Sequence, residues 1–384
     1  MKKISYGKQY IDTKDILAVR DSLKEELITT GQYVEKFEKA FTKFTKSKFA
    51  VSCNSGTSAL HLALLSVNLN KNDIVIMPAI NFIAVYNMSK ILGAKIYLAD
   101  VDAITGQMTP STLLECIKKN KIKRIKLIIT MYLGGYPENI LQFYKIKKKY
   151  NCLLIEDACH ALGATYKNNK KIVYVGSCKH ADVSCFSLHP LKTITSGEGG
   201  VITTNNKIFY EKIKLLRSHG IIKNKNKHWD YNVNYAGYNY RLSDINCALA
   251  LSQLKKIKKF VNYRKKIYLK YFKNLKNYVD LPRYSPSNNS SFHLFLISLK
   301  FNLLKTSKDK FIKFFRSKNI FLQFHYIPIY KFKIFRNKSM KFSGAEYYYQ
   351  NSLSIPIYYN LKNEDQKKII LLIKKFINRN SYKI

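Results

Sequence analysis

Between residues 49 and 204 the chain repeats one pattern, in which a short apolar run is followed by a polar or small-residue break and then by apolar positions at helical spacing. The runs are Phe49-Ala-Val-Ser, Ile74-Val-Ile-Met, Lys95-Ile-Tyr-Leu-Ala, Leu127-Ile-Ile-Thr and Cys152-Leu-Leu-Ile-Glu-Asp157, and helices are expected at 59–65, 82–92 and 140–149. Strands too short and too uniformly apolar to have a wet face, alternating with helices, predict an α/β fold with a mainly parallel sheet covered on both sides. Such a sheet binds its ligands beyond the carboxyl ends of its strands. The residues that close each apolar run are therefore the candidates for chemistry.

Three of those closing segments carry distinctive residues. After Phe49-Ala-Val-Ser comes Cys53-Asn-Ser-Gly-Thr-Ser58, small residues opening a helix, where free N–H groups at Gly56, Thr57 and Ser58 suit a phosphate monoester. The plainer reading is a helix cap at Ser55 or Thr57. The segment lacks the GKS or GKT of a nucleoside-triphosphate loop. Asp157 ends a second run, either as a helix cap or as a carboxylate aimed at a cofactor. Toward a pyridine ring it would keep the ring nitrogen protonated, which makes the ring an electron sink.

The third segment, Ser184-Cys-Phe-Ser-Leu-His-Pro-Leu-Lys192, sets one lysine between a strand expected at 183–187 and the glycine-rich turn before a strand at 199–204. Lys192 is flanked by Leu191, Ile194 and Phe186 rather than by other charges. A lysine attacks an aldehyde only when unprotonated, and an apolar setting lowers its pKa, so Lys192 reads as a Schiff-base lysine or else as an ordinary loop lysine. A Ser187, His189, Asp157 hydrolase triad is the rival, but Ser187 lacks the glycine-flanked elbow that exposes such a nucleophile. Cys159 and His160 lack further ligands at metal-site spacing.

Outside the repeat, residues 12–27 read as an amphipathic helix with Ile16, Val19 and Leu23 on one face and Asp12 or Thr13 as cap. Thr29-Thr-Gly31 breaks it, and a second helix follows with Val34, Phe37 and Phe41 inward and Glu35 and Glu38 outside that stripe. Helices are also expected at 210–217, through Leu254 and onward, at 308–317 and at 364–377, with strands at 292–299 and 320–324. The long helical stretch near residue 255 suggests a large domain over 1–255, with helices in 12–45 packing on it, and a smaller one over 256–384.

Composition removes several classes. No apolar run approaches the ~20 residues of a membrane span, and Met1-Lys-Lys-Ile-Ser-Tyr-Gly has no signal-peptide core, so a cytoplasmic location without membrane partners is expected. Seven scattered cysteines, never in a CxxC pair, argue against a disulfide framework and a zinc site, so no metal is expected. The 67 basic and 24 acidic residues give +43, a balance that raises nucleic-acid binding. The lysines are spread through nearly every segment rather than gathered in a stripe, which argues against a nucleic-acid partner. A positive field would still steer an anionic small substrate.

Taken together, Thr30-Gly-Gln32, Asn54-Ser-Gly-Thr-Ser-Ala-Leu60, Glu156-Asp-Ala-Cys-His-Ala-Leu-Gly163, Phe186-Ser-Leu-His-Pro-Leu-Lys192, Gly197-Glu-Gly-Gly-Val-Ile-Thr-Thr204 and Asn239-Tyr-Arg-Leu-Ser-Asp244 resemble the DegT/StrS-type sugar aminotransferases. Within them the chain looks most like the 4-aminotransferases of pseudaminic-acid synthesis, through Ile4-Ser-Tyr-Gly-Lys-Gln, Leu216-Arg-Ser-His-Gly-Ile221, Ala250-Leu-Ser-Gln-Leu-Lys-Lys256 and Phe324-His-Tyr-Ile-Pro-Ile-Tyr330. The resemblance implies a fold-type I architecture: a large domain on a mainly parallel seven-stranded sheet, and a smaller α+β C-terminal domain. It implies pyridoxal 5'-phosphate, with pyridoxamine 5'-phosphate as the amino-carrying form, L-glutamate as donor and a nucleotide-linked 4-keto-6-deoxy sugar as acceptor. By the same resemblance Lys192 is anchor and proton shuttle, Asp157 contacts the ring nitrogen with His160 beside it, and Phe82 stacks on the ring. Gly56, Thr57 and Ser187 hold the phosphate, and Asn239 reaches it from the neighbouring subunit of a homodimer with shared active sites. His325, Tyr326 and Arg241 are candidate contacts to the sugar or its diphosphate, and each could equally be structural. The chain departs from the family's usual pattern at Asn81-Phe82 and at Tyr132-Leu-Gly-Gly135. Perosamine- or bacillosamine-type aminotransferases would share the cofactor motifs, whereas a dehydratase of this fold carries histidine where Lys192 stands. A basic nucleic-acid-binding protein that retains the fold is the alternative outside enzymes.

Overall fold

The computed structural model describes residues 3–224, 226–227, 229–335 and 341–380; the outermost residues of the two expected domains, 1–2 and 381–384, lie outside them. Helices α1 (Thr13–Ser22) and α2 (Gln32–Thr45) lead into β1 (Phe49–Cys53), α3 (Gly56–Ser66), β2 (Ile74–Pro78), α4 (Ile83–Ile91) and β3 (Lys95–Ala99). Then come α5 (Pro110–Lys119), β4 (Leu127–Met131), α6 (Ile140–Lys149), β5 (Leu153–Asp157), the hairpin β6 (Thr165–Asn168) and β7 (Lys171–Tyr174), and β8 (Val183–Ser187). β9 (Gly200–Thr204), α7 (Lys207–Arg217), the hairpin β10 (Ile221–Lys223) and β11 (Tyr231–Val233), and α8 (Asp244–Lys255) complete the first part. The rest is α9 (Ile257–Leu275), β12 (Phe295–Ser298), α10 (Lys308–Arg316), α11 (Ser343–Asn351), β13 (Ser352–Ile355) and α12 (Asn363–Asn380).

Seven strands form one sheet in the order β1-β9-β8-β5-β4-β2-β3. Only β9 runs against its neighbours; the other pairings are parallel. Alternate residues of one strand feed opposite cores: Ile128 and Leu154 join the cluster containing α2 and α6, whereas Leu127, Ile129 and Ile155 join that containing α3 and α4. Double coverage is the reason the strands read as continuous apolar runs. The shared strand direction brings the ends of β1, β5 and β8 to one edge, with Asp157 paired beside Met131 and Cys185. Among the described residues no helix is long and apolar enough to cross a membrane.

Beyond the sheet, Ile257 and Phe260 of α9 still pack in the large core, whereas Ile267, Tyr271 and Leu275 belong to a third cluster with Phe311, Phe315, Ile369 and Ile373. The change of core occurs along one helix, and α8 ends just before it, at the Lys256 cap.

Three expectations need correction. The helix expected over 12–27 ends at Ser22, and Ile16 and Leu23 are 61% and 56% exposed. The buried side of α1 instead carries Asp15, whose carboxylate accepts from Ser252 Oγ (2.7 Å), Gln253 Nε2 (2.7 Å) and Lys256 Nζ (2.5 Å), so a polar network overrides the apolar stripe. Glu38, outside the apolar stripe of α2, accepts from the Ser52 amide and hydroxyl (both 2.8 Å) and from Arg217 (2.7 Å). The segment 320–324 forms only isolated bridges, Ile4 to Ile320 and Gln323 to Ser354, because it passes between two partners rather than along one. The strand expected from Phe292 starts at Phe295, since Phe292 has a positive φ of 52° that no ladder accepts.

Candidate active site

Beyond the carboxyl ends of β1, β5 and β8 lies a cleft of about 570 Å³, lined among others by Gly56, Thr57, Phe82, Asp157, His160 and Ser187, with Lys192, His325 and Tyr326. Nine of the sequence-derived candidates thus meet in one place. Asn239 and Arg241 do not line it. Asn239 is exposed on a segment whose backbone is tied to Asn54, the Tyr240 carbonyl accepting from the Asn54 amide at 2.9 Å.

Local sequence explains each placement. Ser55 caps α3, its Oγ accepting from the Ser58 amide at 3.0 Å, so Gly56 and Thr57 occupy the first turn, where N–H groups have no helical acceptor. The cap and the candidate anion cradle therefore share one turn. A Cβ on Gly56 would stand 2.8 Å from Ser187 Cβ and 3.1 Å from its Oγ, so the cradle needs the bare backbone there. The Ser187 hydroxyl accepts from the His189 amide at 3.4 Å, and the His189 ring nitrogen accepts from the Leu191 amide at 3.4 Å. The imidazole is thus turned away from the work a hydrolase triad would give it.

The charges at the cleft floor are few. Burial lowers the Lys192 amine below the usual lysine value, while Cys159 and Asp157 draw it back up. Burial raises the Asp157 carboxyl, against hydrogen bonding from Cys159 and the attraction of Lys192; the Cys159 amide donates to Asp157 Oδ1 at 3.2 Å. Among the lining residues Lys192 is the only Lys or Arg, and Asp157 and Glu198 are the only acids. The amine and carboxylate are thus within electrostatic reach in a mostly dry pocket.

Four histidines line the same cleft, His160, His189, His293 and His325. His160 and His293 stand 4.2 Å apart by ring centroid, and His325 lies 6.1 Å from His160. Burial first, then nearby Lys192, pushes His325 down to about 3; burial likewise holds His160 and His293 well below the usual imidazole range. These three are neutral donors and acceptors. His325 Nδ1 meets Ser354 Oγ at 2.8 Å, and Tyr326 stands 5.6 Å from the Phe82 ring.

Sequence reasoning missed Tyr6, Glu198 and His293 as lining residues. His293 had one available signal, a lone imidazole opening the apolar run Phe292-His-Leu-Phe-Leu. Tyr6 had none, because it reaches the cleft by long-range packing, 5.3 Å from the His325 ring.

These residues suit pyridoxal 5'-phosphate: an amine for its aldehyde, a buried carboxylate for its ring nitrogen, and a cradle at Gly56 that a single Cβ would fill.

The comparisons with known proteins agree. A Campylobacter jejuni protein (strain 81-176) named UDP-4-amino-4,6-dideoxy-N-acetyl-beta-L-altrosamine transaminase is 37% identical over 368 residues, 95% of each chain. An uncharacterised protein of Methanocaldococcus jannaschii is 34% identical over 383 residues, 96% of each. The structure of Helicobacter pylori PseC, described as an aminotransferase of pseudaminic acid biosynthesis, superimposes with a TM-score of 0.88 at 30% identity, covering 98% of this chain and 100% of that one. A putative sugar aminotransferase of Streptococcus pneumoniae in its PLP form, at 24% identity and TM-score 0.89, covering 98% of this chain and 99% of its own, shares the fold. The family described as DegT/DnrJ/EryC1/StrS aminotransferases matches residues 9–374, and with the fold and the cleft this places the chain in that family, as a nucleotide-sugar aminotransferase.

Proposed function

We propose that this enzyme moves an amino group from L-glutamate to C4 of UDP-4-keto-6-deoxy-N-acetyl-β-L-altrosamine, forming UDP-4-amino-4,6-dideoxy-N-acetyl-β-L-altrosamine on the way to pseudaminic acid. The observation that carries the reading is one cleft uniting the lysine amine, the buried carboxylate and the Gly56 cradle. The identities to transaminases named for this sugar support the choice of substrate.

In this reading Lys192, Asp157, His160, Phe82, Gly56, Thr57 and Ser187 hold pyridoxal 5'-phosphate. When bound, that group supplies the electron sink and carries the amino group between the two substrates. Lys192 Nζ, whose pKa burial lowers, takes the proton from the glutamate α-carbon and returns one to C4 of the sugar. The α3 N-terminus receives the phosphate, and the neutral histidine wall adds hydrogen bonding without charge.

Asn239 reaches the phosphate from the partner subunit. The exposed apolar side of α1, with Ile16, Leu17 and Leu23, and the exposed Tyr231, Val233 and Tyr235 supply surface for such a homodimer. The net charge of +43 draws in the nucleotide diphosphate. We place the large domain over 1–255 and the small one over 256–384, and the enzyme in the cytoplasm.

The test offers purified enzyme and L-glutamate a panel of UDP-, GDP- and dTDP-linked 4-keto sugars and identifies the amino sugar by NMR. A GDP-perosamine or UDP-bacillosamine precursor formed in preference would overturn the substrate assignment. Multiple turnovers by Lys192→Ala at the native rate would overturn the mechanism.

A further inference from the structure

The Tyr132-Leu-Gly-Gly135 loop, where the chain departs from the family's usual pattern, is held in one conformation from the far side of the cleft. Gly134 has a φ of 73°, and its carbonyl accepts from the amides of His293 (3.0 Å) and Leu294 (3.3 Å). Arg264 Nη1 in turn donates to the His293 carbonyl at 3.2 Å and the Ile357 carbonyl at 2.8 Å, and Ser291 Oγ donates to the His160 carbonyl at 2.6 Å. With its carbonyl held in this way, the Gly134 amide points at the His160 ring and donates to Nδ1 at 3.4 Å.

A backbone amide can only donate, so Nδ1 must be the acceptor nitrogen of His160. Burial and the positive neighbour Lys192 keep the ring neutral. A neutral imidazole with an accepting Nδ1 carries its hydrogen on Nε2, and Nε2 lies 2.9 Å from the Tyr326 hydroxyl. The Tyr326 oxygen is therefore the acceptor in that pair, and its own hydrogen is left to be given elsewhere. Burial, then Asp157 and Cys159, holds the phenol far above its usual range, so it keeps that hydrogen. The Tyr326 side chain lines the cleft.

We propose that Gly134, His160 and Tyr326 form a directional relay in which the Gly134 amide fixes the Nε2–H tautomer of His160 and turns the Tyr326 O–H into the cleft as a donor to an oxygen of the bound molecule. The role is one of positioning for His160 and Gly134 and of direct contact for Tyr326. The acceptor oxygen belongs either to the sugar or to the cofactor; the chemistry is the same. The proposal rests on the aminotransferase reading only for the identity of that molecule, since the tautomer exists without it.

The experiment has two independent parts. Long-range ¹H–¹⁵N spectra of the histidine-labelled apoenzyme, with His160 assigned by comparison with His160→Gln, are expected to show Nε2 protonated and Nδ1 bare. A protonated Nδ1 overturns the relay whatever the substrate proves to be. Tyr326→Phe removes only the oxygen, and loss of one hydrogen bond predicts about a three- to tenfold effect. A loss confined to the nucleotide-sugar half-reaction places the acceptor on the sugar. Weaker pyridoxal phosphate binding by the apoenzyme, with both half-reactions reduced, places it on the cofactor. Native cofactor affinity and native rates in both half-reactions overturn the proposal.

Discussion

Replacing Gly56 by alanine tests the cradle with a single methyl group. The added Cβ would meet Ser187 at 2.8, 3.1 and 3.4 Å from its Cβ, Oγ and Cα, where carbon atoms ordinarily stand ~3.5–4.0 Å apart. Neither side yields easily. Ser187 is paired with Gly200 in the β8–β9 ladder, and a Cβ built on Gly200 would fall 2.2 Å from the Ser55 carbonyl, so the strands already touch the start of α3. Two effects compete: alanine improves helix propensity by up to ~1 kcal/mol, and overpacking costs ~1–3 kcal/mol. The first turn of a capped helix gains little of the former, so crowding wins. If that cost falls on the bound state, the dissociation constant for pyridoxal phosphate rises about 5- to 150-fold. Fluorescence titration of the apoenzyme reads this, and a parallel melt of the apoenzyme separates it from global damage of ~2–4 °C per kcal/mol. A Gly56→Ala enzyme with native affinity and native melting temperature would refute the claim that the bare backbone at 56 is what the site requires.

The remaining predictions concern charge. The Lys192 amine is lowered on folding, so between its lowered folded pKa and the usual lysine value of ~10.4 the unfolded chain binds more protons than the folded one, and the lysine's contribution to stability rises with pH across that window. Apo Lys192→Met is therefore expected to melt above native apoenzyme at pH 7, with the gap narrowing toward pH 10; a pH-independent gap would contradict this. Glu38 and Arg217 have side chains only 14% and 10% exposed, and Glu38→Ala leaves the guanidinium without its carboxylate. That change should cost ~3 kcal/mol in urea melts, and a loss under ~1 kcal/mol would show that solvent reaches the pair. Asp157→Asn keeps the shape and removes the charge, so it should cut the glutamate half-reaction by at least ~100-fold while leaving the apo fold intact by circular dichroism.

Legibility followed how local the cause was. β3, β8 and α6 have the boundaries their apolar patterns predict, because each residue's fate follows from its own sequence neighbours: the two strands alternate between two cores, and α6 turns Ile140, Phe143 and Ile146 into one. The edge that carries the cleft was legible for the same reason: parallel strands must end together, so the segments after β1, β5 and β8 had to converge. The pattern failed where a distant partner decides. Asp15 is drawn inward by Lys256, Gln253 and Ser252, more than two hundred residues away, and this turns the apolar stripe of α1 to the surface. Residues 320–324 look like a strand but are divided between Ile4 and Ser354. His293 enters the cleft through a positive-φ turn at Phe292 that no apolar count anticipates.

The strand order also governs how the chain can be made. β1 lies at the edge of the sheet, and its one neighbour there is β9, whose residues 200–204 are translated about 150 positions later. At ~5–20 residues per second, the segment Phe49–Cys53 waits roughly 8–30 s on the ribosome for its mate. During that interval α3, buried nearly all round in the finished enzyme, also lacks the β8 and β9 surface on which it rests. The same arrangement that brings the Gly56 turn near Lys192 thus leaves the β9-facing edge of β1 and the β8- and β9-facing side of α3 uncovered through much of synthesis. The pairing that shelters this edge is complete only once residue 204 has emerged.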